Sequence, residues 1–419
     1  MTKICVLGLG YIGLPTALLF ANNGIDVVGV DINERVINTL KGCSMPFEEK
    51  GFQELLEEVC KKESFRASMK VEEADVFLVA VPTPFDAELR MADLKYVVSA
   101  CEMITTCLKK GNLVIIESTI PPKTCEKRIR RILEQSGLKS SRDFYISHCP
   151  ERAIPGNTLD EMVNNDRVIG GLDEKAIELT RDLYLSFVKG NLYLTTSTTA
   201  EMIKLMENTY RDVNIALANE LGMLAEDYNI NIWEAIEIAN KHPRVNIHKP
   251  GPGVGGHCIA IDPWFLTENA NNSSLITLAR NINDSMPIHV LKKVKELVNG
   301  IENPVITVFG VAYKGDIADT RATPAIKFIK LAEKEGYSIK IYDPFVREFE
   351  YPIIGLEEAV EGSDCIVVLT DHTEFQEMDL DILCQRMRNR NIVDSKNILP
   401  KQSKPGFKCN RNVVLLGKT

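Results

Sequence analysis

The opening residues, MTKICVLGLGYIGLP, constrain the fold more than any other feature of the chain. Lys3 to Gly8 reads as a short apolar strand. Gly8, Gly10 and Gly13 form G-x-G-x-x-G directly behind it, at the mouth of a helical stretch. In a strand–turn–helix unit the first glycine permits the tight turn. The second lets backbone approach a pyrophosphate, and the third lets the helix pack on the sheet. The helix N-terminus then offers unpaired N–H groups to phosphate oxygens. Asp31 closes the second strand, 18 residues beyond Gly13, where a carboxylate accepts hydrogen bonds from ribose hydroxyls and repels a 2′-phosphate. NAD is therefore expected over NADP. Arg35 is close enough to stack on adenine or meet a phosphate. A ligand-free turn at the glycines and a helix cap at Asp31 are the plainer alternatives.

Apolar runs alternate with helical spacing from there on. DVVGVD, DVFLVAV, NLVIIES, FYISHC and RVIGG read as buried strands, which implies a parallel sheet covered on both faces. Thr83 and Thr119 follow two of these strands, where ligands of such sheets sit, and would contact the nicotinamide half of the cofactor or simply cap local backbone. A helical region follows. Thr198 to Ile230 has no proline and one glycine, and predicts one long helix. IWEAIEIANKH predicts a second helix, and residues 273–300 a third, kinked at Pro287. VITVFGVAY, SIKIYDP, CIVVLTDH and NIVDSK then restore the alternation, with a further edge strand near the end. The expected fold is α/β: two Rossmann-like, doubly wound parallel sheets joined by a central helical domain with one long helix. The expected domains are 1–195, 196–300 and 301–419, and the two α/β units should be loosely similar.

A net charge of −9 argues against nucleic-acid or anionic-membrane partners. No apolar run approaches the length of a membrane span. The eleven cysteines include no C-x-x-C pair, so neither a metal site nor a disulfide framework is expected. Unpaired thiols and the lack of a signal-peptide layout point to the cytoplasm.

Two features carry chemistry. Lys204, Asn208 and Arg211 are spaced i, i+4, i+7 and fall within an arc of roughly 60° on the long helix. They offer a surface for an anion or a developing oxyanion, unless Glu201 and Glu207 simply pair with them. The loop Gly251-Pro252-Gly253-Val254-Gly255-Gly256-His257-Cys258 is costly in entropy unless its backbone approaches something closely. It ends on a cysteine, with Asp262 four residues on.

These residues resemble the UDP-glucose/GDP-mannose dehydrogenase family. The likeness spans the chain: GLGYIGLP at 8–15, VPTP at 81–84, ESTIPP at 117–122, HCPERAIPG at 148–156, KLMENTYRDVNIALANE at 204–220, GPGVGGHCIAIDP at 251–263 and GVAYKGDIADTR at 310–321. Within the family, HPRVNI followed by GPGVGGHC resembles the branch acting on UDP-N-acetyl-D-mannosamine. The resemblance implies a four-electron oxidation of the sugar C6 with NAD, in a homodimer or higher homo-oligomer. It makes Cys258 the nucleophile, and Lys204 the partner of the alkoxide or oxyanion. Asn208 and Asp262 would position the sugar hydroxyl and a water, and Glu151 would act as base in thioester hydrolysis. Arg152, Ala153, Arg211, His242, Arg244, Gly255, Tyr313 and Lys314 would hold the UDP-sugar. Tyr11, Ile12, Asp31, Arg35, Thr83, Thr119 and Arg321 would serve NAD. The segment after Arg152 reads Ala-Ile-Pro-Gly where many relatives have Val-Leu-Pro-Gly, an apolar exchange. UDP-N-acetylglucosamine, UDP-glucose and GDP-mannose remain alternative substrates, and a two-electron alcohol dehydrogenase or a non-catalytic NAD-binding regulator alternative functions.

Overall fold

A computed structural model describes residues 2–47, 49–153, 156–400 and 412–418. Ile154 and Pro155 of the apolar exchange lie outside them. The chain forms two compact units, Met1–Glu207 with Trp264–Ala270, and Asn208–Pro263 with Asn271–Thr419.

The first unit holds strands β1 (Lys3–Leu7), β2 (Asp26–Val30), β3 (Phe65–Ser68), β4 (Val76–Val79), a small hairpin of β5 (Phe85–Asp86) and β6 (Met91–Ala92), then β7 (Leu113–Ile116), β8 (Tyr145–His148), β9 (Arg167–Gly171) and β10 (Leu192–Thr196). Eight of them form one sheet in the order β10-β9-β8-β7-β4-β1-β2-β3. All of its pairings are parallel except β8 with β9. Side chains of β1 alternate between two cores, as a two-residue period requires. Ile4 and Val6 join Leu14, Leu18 and Phe20 on one face, while Cys5 and Leu7 join Val97, Cys101 and Ile104 on the other. Cys5 is a core hydrophobe, and burial pushes its thiol up to about 11. The sequence reading missed β3, β10 and the hairpin. The sheet-edge strand β10 is largely exposed and has no apolar run to announce it.

The segment 124–137 is less regular than its spacing suggests: a π turn (Cys125–Ile129), one α-helical turn (Arg130–Leu133) and a 3-10 turn ended by Gly137 at φ +86°. The cysteines also depart from expectation. Cys43 and Cys60 form a disulfide with their Cα atoms 6.5 Å apart, because the loop after helix Glu34–Lys41 folds back on helix Phe52–Lys61.

The second unit holds β11 (Val305–Phe309), β12 (Ser338–Tyr342), β13 (Cys365–Val368), β14 (Asn391–Asp394) and β15 (Asn412–Leu415), all parallel, in the order β12-β11-β13-β14-β15. The long helix is Ser197–Asp227, 31 residues, and passes from the first unit into the second. The third predicted helix, Ser274–Leu297, is continuous through Pro287. Proline has no N–H for the Asn283 carbonyl, and the glycine-rich loop comes up to that oxygen: a Cβ on Gly253 would stand 3.1 Å from it. The Asn283 side chain donates to Asp212 at 2.8 Å and accepts from Asn219, whose own oxygen takes the Gly251 N–H at 2.8 Å. The loop is thus tied to two helices before it reaches Cys258. Among the described residues no helix is long and apolar enough to cross a membrane.

Candidate active site

In the first unit the strand order reverses between β1 and β4, the place where such sheets bind ligands beyond their strand ends. Gly8 has φ +96°, and a Cβ there would lie 2.5 Å from the Ala80 carbonyl oxygen; one on Gly13 would lie 2.0 Å from the Gly8 oxygen. Both glycines are required by packing. Gly10 differs: its Cβ would meet nothing within 4 Å, and it stands in open space before the helix Gly13–Asn22. That is the cradle a pyrophosphate needs, so the residues fit a bound dinucleotide. Asp31 is half-buried, its oxygens accepting the Leu9 N–H at 2.9 Å and the Asn33 N–H at 2.8 Å. Asn33, rather than Asp31, caps the next helix. Arg35 is exposed, Ile12 half-buried, and Tyr11 lies with its ring 4.2 Å from that of Phe47. Thr83 is buried and Thr119 half-buried at the ends of β4 and β7.

Behind β7 and β8 is a charged cluster that the sequence reading missed. Arg167 is fully buried, pairs with Glu151, and stands 3.5 Å from Glu117, with its guanidinium 5.0 Å from the Tyr184 ring centroid. Glu117 also accepts from Thr16 and Tyr184, both at 3.1 Å; burial pushes its carboxyl up against the pull of Arg167. The other Glu151 oxygen accepts the N–H groups of Arg152 (2.6 Å) and Ala153 (2.9 Å), so Arg167 and two amides hold this carboxylate. A run of arginine and glutamate spread over fifty residues carries no spacing signal that would have revealed the cluster. Next to it, His148 is buried with neither ring nitrogen hydrogen-bonded, and burial lowers its imidazole to about 3.

The long helix does not pair its own charges. Glu201 is buried and accepts the Lys123 and Cys125 N–H groups at 2.5 and 2.8 Å. Glu207 pairs with Arg152, which also donates to the Asp166 carbonyl at 2.9 Å. The solvated ion-pair stripe is thereby corrected: both carboxylates are taken elsewhere, and half-buried Lys204 has no carboxylate within ion-pair distance among the described residues.

In the second unit, Asn208 donates to Asp262 at 2.6 Å in a buried contact, and the Asp262 N–H returns to the Cys258 carbonyl at 2.8 Å. Cys258 is exposed at the end of the glycine loop. Two of its glycines, Gly255 and Gly256, lie where Tyr313 occupies the space of a side chain. A Cβ on Gly255 would be 2.7 Å from the Tyr313 Cβ and 2.9 Å from the Ala322 oxygen, and one on Gly256 would be 3.0 Å from the Tyr313 ring. The Gly256 N–H donates to the Arg321 carbonyl at 2.9 Å. The Arg321 side chain is held by Asp319 at 2.6–3.0 Å. Arg321, expected to serve NAD, thus braces the cysteine loop through its backbone. Burial and the Arg321 charge push His257 down, towards a neutral imidazole. His242 and Arg244 are exposed on the turn after helix Ile232–Ala239, where the His242 Nδ1 accepts the Arg244 N–H at 3.4 Å; Lys314 is exposed as well. Arg211 lines a cleft of about 890 Å³ with Trp233, Lys241, His248 and Lys396. Apart from Arg211, the sequence reading missed this basic cleft, whose lysines and histidine come from three separate segments.

Comparison with known proteins agrees with this arrangement. Residues 2–188, 198–285 and 307–401 match the NAD binding, central and UDP binding domains of the UDP-glucose/GDP-mannose dehydrogenase family. The chain is 48% identical over 425 residues to UDP-N-acetyl-D-mannosamine dehydrogenase of Methanococcus maripaludis, covering 99% of this chain and 97% of that protein. It is 49% identical over 414 residues to the protein of that name from Methanocaldococcus jannaschii, covering 97% and 95%. The solved structure of the Pyrococcus horikoshii UDP-D-ManNAc dehydrogenase superposes with a TM-score of 0.92 at 44% identity, covering 99% of each chain. The two-sheet fold, the NAD cradle and these likenesses place the chain in the UDP-glucose/GDP-mannose dehydrogenase family.

Proposed function

We propose that the protein oxidises C6 of UDP-N-acetyl-D-mannosamine to the carboxylate, using Cys258 as covalent catalyst. The observation that carries this reading is Cys258 itself: an exposed thiol on a loop fixed by Tyr313, Arg321, Asn219 and Asn283, with the buried Asn208–Asp262 pair one helical turn on. Identity at nearly half of all positions with UDP-N-acetyl-D-mannosamine dehydrogenases supports the choice of sugar.

Two NAD molecules in succession, each held at Gly8, Gly10 and Gly13 with Asp31 on its ribose, would accept the two hydrides, the first leaving C6 as an aldehyde as its hydroxyl loses a proton. The Cys258 thiolate adds to the C6 aldehyde, forming a C–S bond that keeps the reactive carbonyl on the protein between two oxidations. Loss of the second hydride from that carbon leaves a thioester, and water breaks the C–S bond to release the carboxylate and the thiol. Lys204 stabilises the oxyanion, its freedom from a carboxylate leaving its charge available. Asn208 and Asp262 orient the hydroxyl and the water. Glu151, kept in place by Arg167, serves the hydrolysis. The diphosphate of UDP is received by the basic cleft around Arg211, Lys241 and Lys396, with Arg152, Ala153, His242, Arg244, Gly255, Tyr313 and Lys314 completing the substrate site.

Three functional regions, 1–195, 196–300 and 301–419, and a cytoplasmic location belong to the same reading. So does a homodimer. The exposed side chains Met202, Met206, Tyr210, Leu217 and Leu224 recur at spacings of four and seven on the long helix, one apolar stripe suited to a second copy. The test is a panel of nucleotide sugars assayed for NADH. Two NADH per sugar from UDP-N-acetylmannosamine alone are expected, with Cys258→Ser binding NAD and sugar normally yet turning over at less than about 1/1000 of the rate. One NADH per sugar, or a fully active serine variant, removes the covalent step.

A further inference from the structure

The loop that braces Cys258 is itself held by a residue far from the expected chemistry. Beyond β13 the chain runs Thr370-Asp371-His372-Thr373, and all four touch the segment after β11. The Thr370 hydroxyl donates to the Ala312 carbonyl at 2.7 Å. Gly315 lies so close to Asp371 that a Cβ would be 2.3 Å from its carbonyl oxygen. Thr373 donates to the Asp316 carboxylate through its N–H at 2.8 Å and its hydroxyl at 2.6 Å. His372 is fully buried, stacked on Phe345 with ring centroids 5.0 Å apart and edge-on to Phe375. Its Nδ1 accepts the Asp316 N–H at 2.9 Å. An atom that accepts there carries no proton, so the proton is on Nε2, which faces the Asp343 carboxylate at 3.1 Å. Asp343 already accepts N–H groups from Val311, Ala312, Phe345 and Val346 at 2.8–3.2 Å. It fixes one tautomer of the ring, as a carboxylate beside an imidazole does.

Asp316 has φ +61°, a conformation that a non-glycine residue keeps only when its surroundings enforce it. From there the chain leads directly to the thiol: the Tyr313 N–H is bonded to the Asp319 carbonyl at 3.0 Å, Tyr313 fills the space over Gly255 with its Cβ and over Gly256 with its ring, and the Arg321 carbonyl takes the Gly256 N–H.

We propose that His372 is a positioning residue for Cys258, acting through the acceptance of the Asp316 N–H at Nδ1 and so through the loop Tyr313–Arg321; the proposal rests on Cys258 being the catalytic thiol. Asparagine carries its side-chain oxygen near the place of Nδ1 and glutamine its amide near that of Nε2, so the two variants divide the ring's functions. The experiment compares His372→Asn and His372→Gln in the full chain by three measurements: NADH formation, NAD binding by calorimetry, and deuterium uptake of the segments 251–258 and 313–321. Glutamine should lower kcat on the order of tenfold or more, as a small misplacement of a reacting group does. It should also speed exchange in both segments, with NAD binding unchanged. Asparagine should stay within about threefold of the wild type in all three. Equal behaviour of the two variants, or faster exchange confined to 313–321, overturns the proposal. Should both fail to fold, Thr373→Val removes an exposed hydroxyl from the same Asp316 carboxylate: slower turnover with faster exchange at 251–258 supports the proposal, and wild-type values refute it. A wild-type enzyme that makes no NADH from any nucleotide sugar defeats the proposed function instead, while the exchange data still decide whether His372 holds the cysteine loop.

Discussion

The fit between Tyr313 and the glycine loop gives a prediction whose size follows from two neighbouring positions. Gly256 has φ +87°, and the three atoms nearest to a Cβ there all belong to the Tyr313 ring, at 3.0–3.2 Å. Gly256→Ala should therefore cost about 1–2 kcal/mol for the left-handed backbone and about 1 kcal/mol for displacing the ring. Tyr313→Ala removes those nearest atoms, so the double variant should recover the second part only, a coupling of about 1 kcal/mol. Gly255 is the control. Its Cβ would meet the Tyr313 Cβ at 2.7 Å, the Ala322 oxygen at 2.9 Å and Pro324 at 2.9 Å, and Tyr313→Ala leaves all three in place. Gly255→Ala should cost about 2–3 kcal/mol by overpacking, with no rescue. The chain has two tryptophans, and Trp233 lies in the second unit, so urea unfolding followed by fluorescence in a Trp264→Phe background reports on that unit alone. Turnover should fall with Gly256→Ala and return in part with the double variant. Additivity within about 0.5 kcal/mol at Gly256, or rescue at Gly255, would refute the argument that Tyr313 dictates the loop's composition.

Asp343→Asn should lower stability near neutral pH by about 2 kcal/mol. Burial disfavours the Asp343 carboxylate, yet the hydrogen bonds from His372 and the backbone outweigh it and bring it from 3.8 down to about 2. A depressed folded-state value gives stability that is present above the unfolded value and lost as pH falls through the folded one. The gap between wild type and variant in urea should thus close between about pH 4 and pH 2, and a gap constant with pH would contradict this. Reducing Cys43–Cys60, which are 17 residues apart, should cost up to about 3 kcal/mol by freeing the unfolded loop, read as a lower urea midpoint with reductant in wild type but not in Cys43→Ser. Leu217→Lys, in the exposed apolar stripe of the long helix, should convert a dimer to a monomer in light scattering; a wild-type monomer would dispose of the dimer.

What the sequence makes legible here is whatever is periodic or local. The strands β1, β2, β4 and β7 to β9 are continuous apolar runs because both faces of the sheet are buried, and the long helix announces itself by what it lacks. The dinucleotide turn is readable because three glycines at fixed offsets have separate physical reasons to be there. Side-chain partnerships between distant segments are not readable in this way. Arg167 with Glu151 and Glu117, Glu201 with the amides of Lys123 and Cys125, and Tyr313 with Gly256 each join residues whose separation carries no information until the backbone is closed. Glu201 shows the hazard: helical spacing put it beside Lys204 as an ion-pair partner, whereas burial turned it to an unpaired turn of another segment.

The likeness expected between the two sheets also bears on what each can bind. Each first strand ends in a left-handed glycine, Gly8 at φ +96° and Gly310 at φ +83°, whose N–H bonds to the end of the adjacent strand at 2.8 Å. Each adjacent strand is followed by an aspartate that accepts the next N–H: Asp31 from Leu9 at 2.9 Å, Asp343 from Val311 at 2.8 Å. The turns then diverge. The place of Gly10, open space in the first, is taken by buried Ala312 in the second, in the run GVAYKG. Asp31 keeps an accessible edge, whereas Asp343 is fully buried beneath His372 and four amides. The carboxylate that can meet a ribose in one sheet is structural in the other. The helix that would present its N-terminus to phosphates starts at Gly13 in the first sheet but only at Pro324 in the second, and the longer connection between Gly310 and Pro324 carries Tyr313 and Arg321. One turn geometry thus serves two purposes: open, it cradles a cofactor; filled and lengthened, it becomes the brace of the cysteine loop.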